Sequence, residues 1–131
     1  GVTFDAIGSG AKFVFSDFVQ INEAITSPAV STSALSTDQH NFSPSTKSRL
    51  VRLNAASAID LTGLTYTTLE DGETHYLANV GTSAITIKHN NGSSTAANRF
   101  LLSGGTDIVL NPEEVQCVIY DLTSTRWRAL K

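Results

Sequence analysis

The side chains able to do chemistry are few and far apart. Three histidines stand at positions 40, 75 and 89, and none lies at metal-ligand spacing from a Cys, Asp or Glu. The one thiol, Cys117, sits in the apolar run Val115-Gln116-Cys117-Val118-Ile119-Tyr120. Reactive thiols need a partly exposed, electropositive setting, so it reads as an inert strand cysteine. Glu70, Asp71 and Glu73 gather around Gly72 but lack the alternating oxygen ligands and closing glutamate of a calcium loop. Glu113 and Glu114, after Asn111-Pro112, read as a solvated turn or at most a weak cation site. There is no nucleophile elbow, phosphate-binding loop or dinucleotide fingerprint. Paired carboxylates and a Ser/His constellation are also missing, so no catalytic residue, metal or cofactor is expected and the chain does not read as an enzyme.

The remaining candidates are recognition residues. Asp71, Glu73, His89, Asn90 and Asn91 fall on predicted turns, and Tyr66, Tyr76 and Trp127 could stack against a sugar ring. Each of these also has a plain structural account. Trp127 shares a strand face with Ala129, between Arg126 and Arg128 on the other face, which suits a core or subunit contact as well as an exposed platform.

Positioning these residues falls to short strands. With 131 residues, one domain is expected, with room for a short arm and a modest core. Nine Lys plus Arg against twelve Asp plus Glu give a net charge of −3 with no basic block, so no nucleic-acid partner is expected. No apolar run approaches the roughly 20 residues of a bilayer-spanning helix, so membrane insertion is not expected. The chain has no methionine, and Gly1 reads as a cleavage scar on a piece of something longer.

Residues 1–10 read as an extended, Gly-punctuated lead-in. Residues 12–25, KFVFSDFVQINEAI, fit period two through Phe13, Phe15, Val19 and Ile21, and a helical stripe through Val14, Phe18, Ile21 and Ile25. Their aromatic and β-branched content favours strand. Phe13, Phe15 and Phe18 then need covering, either by the domain's own core or by an oligomer or particle contact. Residues 26–37 read as a Ser/Thr-rich linker ending near Ala34-Leu35, and 38–48 as a surface loop with Phe42 tucked in.

Strands are predicted from Arg49, over 58–64, 65–69, 74–80 and 84–87. Asp71-Gly72, Gly81-Thr82-Ser83 and Asn90-Asn91-Gly92 supply turns between them. Ser93, Ser94 and Thr95 can cap a single helical turn near 94–98. Strands 99–102, 107–110, 115–121 and 125–130 follow, the last two joined as a hairpin through Leu122–Thr125. A strand about every ten residues predicts an all-β fold, an antiparallel β-sandwich of jelly-roll type with about 8 short strands and an extended N-terminal arm.

Taken in order, LTGL (61–64), DG (71–72), LANVGTSAITIKHNNGSSTAANRFLL (77–102), DIVLNPEE (107–114) and VIYDLTSTRWRAL (118–130) resemble a module recurrent in bacteriophage tail-fibre, head-fibre and other virion surface proteins. ALSTDQHNFSP (34–44) is similar to its opening. The pairing of SSTAANRF with YD-x-T-S-x-RW carries most of the specificity. The match spans residues 34–131 and leaves 1–33 as an arm or linker for oligomerisation or particle attachment.

The resemblance implies a compact, non-enzymatic β domain, often distal on a fibre and frequently a homotrimer. The motif residues also have a plain structural account, in which Asn98 and Arg99 close a turn and Tyr120 and Trp127 fill a core. The expected role is a virion structural protein made in the bacterial cytoplasm and displayed on the particle surface. It would contact other virion proteins and, through its turns, host-surface glycans. Alternatives are a capsid decoration or head-fibre protein held by its N-terminal arm, and a non-viral carbohydrate-binding module.

Overall fold

A computed structural model describes residues 32–130. Phe13, Phe15 and Phe18, and the strand-or-helix question over 12–25, lie outside the described residues. The described chain is all-β and sandwich-like, with eight strands in two sheets: β1 (Thr32–Leu35), β2 (Leu50–Ala55), β3 (Ile59–Leu61), β4 (Thr74–Asn79), β5 (Ile85–Ile87), β6 (Ile108–Leu110), β7 (Val115–Asp121) and β8 (Arg126–Ala129). Two 3₁₀ turns, Ala96–Asn98 and Ser103–Gly105, are its only helical pieces. The larger sheet runs β1-β2-β4-β7-β8 and the smaller β3-β5-β6.

The strand pairing corrects the expected antiparallel, jelly-roll connectivity. Antiparallel pairing holds for β4–β7, β5–β6 and β7–β8, but β1–β2, β2–β4 and β3–β5 are parallel. The cause is how the chain winds. After β2 it crosses to the smaller sheet as β3 and returns as β4 beside β2, then repeats the crossing as β5 beside β3. Each passage supplies the long crossover that parallel neighbours require.

The result is a short stack of coils. Residues 38–42 behave as the first coil's second limb, with isolated bridges from Gln39 to Leu61 and from Phe42 to Leu64. Gln39 N–H donates to the Asp60 carbonyl at 2.8 Å and Lys88 N–H to the Leu61 carbonyl at 2.9 Å, so three successive coils are laddered here. Coil-on-coil stacking buries one continuous core, as in solenoid proteins. β6, β7 and β8 then reverse direction and close one end of the stack.

Binary patterning places the core. In β2, Val51, Leu53 and Ala55 point inward while Arg52 and Asn54 are exposed. In β4, His75, Leu77 and Asn79 point inward. Leu61, Leu64, Ile85, Ile87, Phe100, Val118, Tyr120 and Trp127 complete the interior. Burying a large apolar side chain contributes about 1.5–3 kcal/mol before entropy is charged, so these contacts dominate the fold's stability. Phe42 is buried as expected, and Tyr120 and Trp127 fill the core.

Four local readings are corrected. The segment read as linker contains β1, because Leu35 is drawn into the core and the segment pairs along β2 from Thr32↔Arg52 to Leu35↔Ala55. Residues 65–69 form no strand, since they cross between the two sheets. Residues 99–102 likewise make only isolated bridges, Gly63↔Arg99, His89↔Phe100 and Phe100↔Trp127. The Ala96–Asn98 turn has no side-chain cap at Thr95; the Ser94 hydroxyl instead accepts from Asn41 N–H at 2.9 Å and shares a hydrogen bond with Thr62 Oγ1 at 2.7 Å.

Candidate functional site

Alternation along β4 puts Glu73 and His75 on one side of the strand, two residues apart. His75 is buried and its ring stacks on Tyr66, with centroids 4.6 Å apart. Its Nδ1 lies 2.7 Å from the Ser48 carbonyl and its Nε2 lies 2.8 Å from Glu73 Oε1. The ring is thus held between a backbone carbonyl and a carboxylate, one at each nitrogen. The Tyr66 hydroxyl is a third, longer neighbour of Nδ1 at 3.4 Å.

The second carboxylate oxygen is occupied as well. Lys47 Nζ lies 2.8 Å from Glu73 Oε2, and the Glu70 N–H donates to the same oxygen at 3.2 Å. Lys47 also donates to the Thr68 carbonyl at 2.7 Å and sits 5.7 Å from the Tyr66 ring centre. Partial burial pushes the Glu73 carboxyl upward, but hydrogen bonds from Lys47, His75 and Glu70 outweigh it and hold the group below its ordinary value. Burial raises the Tyr66 hydroxyl, and the Glu73 charge adds to this.

This cluster underlies a cleft of about 320 Å³ lined by Ser43, Pro44, Ser45, Lys47, Tyr66, Thr67 and Thr68. Its hydroxyls and the half-exposed ammonium suit hydrogen bonding to a polar ligand. Beneath this cleft Glu73 and His75 are engaged with each other and with Lys47, Ser48 and Glu70.

The predicted recognition residues are scattered over the described surface. Tyr66, Glu73 and Trp127 do come together, with Tyr66 and Trp127 rings edge to face at 6.5 Å. Trp127 is 0% exposed and its Nε1–H donates to the Leu64 carbonyl at 2.7 Å. It is therefore a core residue and offers no platform to a sugar. Tyr66 is also buried, one face taken by His75. Tyr76 alone of the three is open, 40% exposed on the outer face of the larger sheet, where it neighbours Leu50 and Cys117. Cys117 is a half-buried strand residue facing the same way, as its apolar run suggested.

Asp71 accepts from Leu122 N–H at 3.0 Å and so ties the 71–72 turn to the β7–β8 hairpin. His89, Asn90 and Asn91 lie apart from that turn. His89 Nδ1 accepts from Leu102 N–H at 3.0 Å, and its own backbone N–H donates to Asp107 Oδ1 at 2.7 Å. Asn90 takes the left-handed conformation expected of this turn, φ 38°, and Asn91 Oδ1 caps Ser93 N–H at 2.9 Å. All three side chains or backbones thus serve the turn itself.

Asp107 also pairs with Lys88, whose hydrogen bond holds the carboxyl below its ordinary value. Together with Ser103, Gly104, Thr106, Ile108, Gln116, Ala129 and Leu130 it lines a larger cleft of about 520 Å³ between β6 and the β7–β8 pair. Among the described residues, no group of three or more His, Cys, Asp or Glu side chains could hold a metal ion. No helix among them is long and apolar enough to cross a membrane.

Sequence reasoning missed Lys47, His75 and the smaller cleft they serve. The available signal was Glu73-Thr74-His75, a carboxylate and an imidazole at strand spacing on one face. Comparisons with family models, curated proteins and solved structures find no match to this chain.

Proposed function

We propose that this chain is a non-enzymatic binding module of a virion surface: a fibre or spike domain that assembles as a homotrimer among other virion proteins and presents its clefts and Tyr76 to bacterial surface glycans. The observation that carries this reading is the docking of its two most specific motifs on each other. Within SSTAANRF and its neighbours, Asn98 O accepts from Leu64 N–H at 2.9 Å and Arg99 O accepts from Trp127 N–H at 3.0 Å. From the terminal motif, the Tyr120 hydroxyl donates to the Ala97 carbonyl at 3.1 Å. The two motifs thus form one packing unit, which is consistent with their recurring together in the module the chain resembles.

A binding role also fits the chemistry. Among the described residues, the side chains of Asp71, Glu73, His75 and Asp107 are engaged in turns and ion pairs. Solvent-facing recognition then falls to hydroxyl-lined clefts and to Tyr76.

The test is sedimentation of the purified chain, together with binding to a panel of bacterial surface polysaccharides. A trimer with saturable binding to some of them, weakened at least tenfold in Tyr76→Ala, is the expected result. A stable monomer that binds none of the panel would sink the proposal. A monomer with sugar affinity would instead favour a non-viral carbohydrate-binding module.

A further inference from the structure

The outward sides of the two sheets differ in charge. On the larger sheet, the outward positions of the described strands carry Arg52, Arg126 and Arg128 against one carboxylate, Asp121, which Arg128 holds at 2.7 Å. On the smaller sheet Asp60 points outward, Asp38 Oδ1 accepts its backbone N–H at 2.8 Å, and Lys88 pairs with both Asp60 and Asp107. In a chain of net charge −3, the larger sheet thus has a locally positive side. Such a side draws an anionic partner.

Strand register sets an aromatic ring beside one of these arginines. Leu50, Tyr76 and Cys117 stand side by side across β2, β4 and β7, and Arg52, Ala78 and Val115 form the next row. Tyr76 and Arg52 are therefore diagonal neighbours, about 8 Å apart by strand spacing and rise. Tyr76 is 40% exposed and Arg52 is exposed too. Arg52 Nε donates to Thr32 Oγ1 at 3.1 Å, which steadies the guanidinium, and no carboxylate among the described residues pairs with it. Its terminal nitrogens are thus left to meet a carboxylate in the two-pronged geometry that arginine favours.

We propose that Tyr76 and Arg52 form a subsite for a carboxylated sugar residue of an acidic glycan. The sugar ring lies on the Tyr76 ring and its carboxylate on the Arg52 guanidinium. Asn54, the next outward residue of β2, adds an exposed amide for sugar hydroxyls. The proposal rests on the glycan-binding reading above and narrows it to acidic saccharides at this place. The strands themselves favour a saccharide over an acidic peptide. Both β2 and β4 are paired on each side, so no extended chain can add to their backbones.

The experiment titrates the full-length chain with oligogalacturonate and with oligosialic acid, each beside its methyl ester, which keeps the sugar rings and removes the charge. Calorimetry should show at least one acid bound about tenfold or more tighter than its ester, with the preference shrinking as salt rises. Arg52→Gln should abolish that preference, and Tyr76→Ala should weaken acid and ester alike. Arg126→Gln, at the far end of the same side, should leave both affinities within about twofold. Equal binding of acids and esters, or equal losses from Arg52→Gln and Arg126→Gln, would overturn the subsite and leave the glycan-binding reading standing. So would failure of both acids while a neutral polysaccharide binds, whereas binding of no saccharide at all sinks both. Polyglutamate bound as tightly as the acids would assign the place to an acidic peptide and overturn the proposal. A changed sedimentation coefficient in Arg52→Gln with an unchanged circular dichroism spectrum would assign it to a second copy, with the same result.

Discussion

The indole N–H of Trp127 donates to the Leu64 carbonyl at 2.7 Å, joining the last strand to the end of the second coil. Around this bond, Trp127 N–H donates to Arg99 O at 3.0 Å and Trp127 O accepts from Leu101 N–H at 2.7 Å. The rings of His75 and Tyr120 meet the indole edge to face at 5.6 and 5.0 Å. One side chain thus fastens the coils to the closing hairpin.

Trp127→Phe keeps an aromatic ring but leaves the buried Leu64 carbonyl without this donor, and should cost about 1–3 kcal/mol. Trp127→Ala opens a cavity as well and should cost about 3–5 kcal/mol. Urea unfolding followed by far-ultraviolet circular dichroism measures both. Equal stabilities for Phe and wild type would show that the hydrogen bond contributes nothing.

Two glycines separate backbone crowding from turn geometry. A Cβ on Gly81 would run into the backbone N, C and O of Ala55, where the third coil's turn lies on the second. Gly81→Ala should therefore destabilise by more than about 2 kcal/mol, as overpacking against rigid backbone does. Gly92 has nothing within 4 Å of such a Cβ. Gly92→Ala should lie between neutral and about 1 kcal/mol stabilising, by lowering the entropy of the unfolded chain. Thermal melts of the pair decide it, and comparable losses in both would refute the stacking account.

These glycines also show what the sequence made legible. Alternation put Trp127 and Ala129 on one face of β8, and Asp71-Gly72 and Asn90-Asn91 marked turns, because both signals are local. Parallel stacking is a relation between distant segments, and short, evenly spaced strands fit a sandwich equally well. Its trace is the near repeat Ser57-Ala58-Ile59-Asp60-Leu61 and Ser83-Ala84-Ile85-Thr86-Ile87, aligned with Ile59 beside Ile85 and Leu61 beside Ile87. The smaller cleft depended on Lys47 and Thr67-Thr68, loop residues whose neighbours only the coil winding supplies.

Ser94 looked like a helix cap and is instead a buried junction. Its hydroxyl binds Asn41 N–H and Thr62 Oγ1, and Thr62 Oγ1 lies 2.8 Å from His40 Nδ1. Ser94→Ala leaves the Asn41 donor unsatisfied beside a buried side chain and should cost about 1–3 kcal/mol. Ser94→Thr adds a methyl group beside Gly63, whose own surroundings are already tight against Ser94, and should not improve on the native serine. Urea midpoints of the two variants measure this. Full stability in the alanine variant would mean that solvent replaces the hydroxyl.

Glu73 sets an acid limit on stability. Its carboxyl is held below its ordinary value of 4.5 because hydrogen bonds from Lys47, His75 and Glu70 outweigh partial burial. A carboxyl with a depressed folded pKa binds fewer protons folded than unfolded between the two values. Its contribution is fully present above about pH 4.5 and is lost as pH falls through the folded value. Asp121 behaves likewise: a hydrogen bond from Arg128 leads the effects that bring it to about 2. Glu73→Gln removes the Glu73 contribution and leaves the His75 ring facing a neutral amide. Urea midpoints measured from pH 7 to pH 3 should show the variant less stable at pH 7, with the gap narrowing below pH 4.5. A gap unchanged at pH 3 would mean that Glu73 acts through packing alone. A gap that widens toward acid would reverse the assigned direction of its shift.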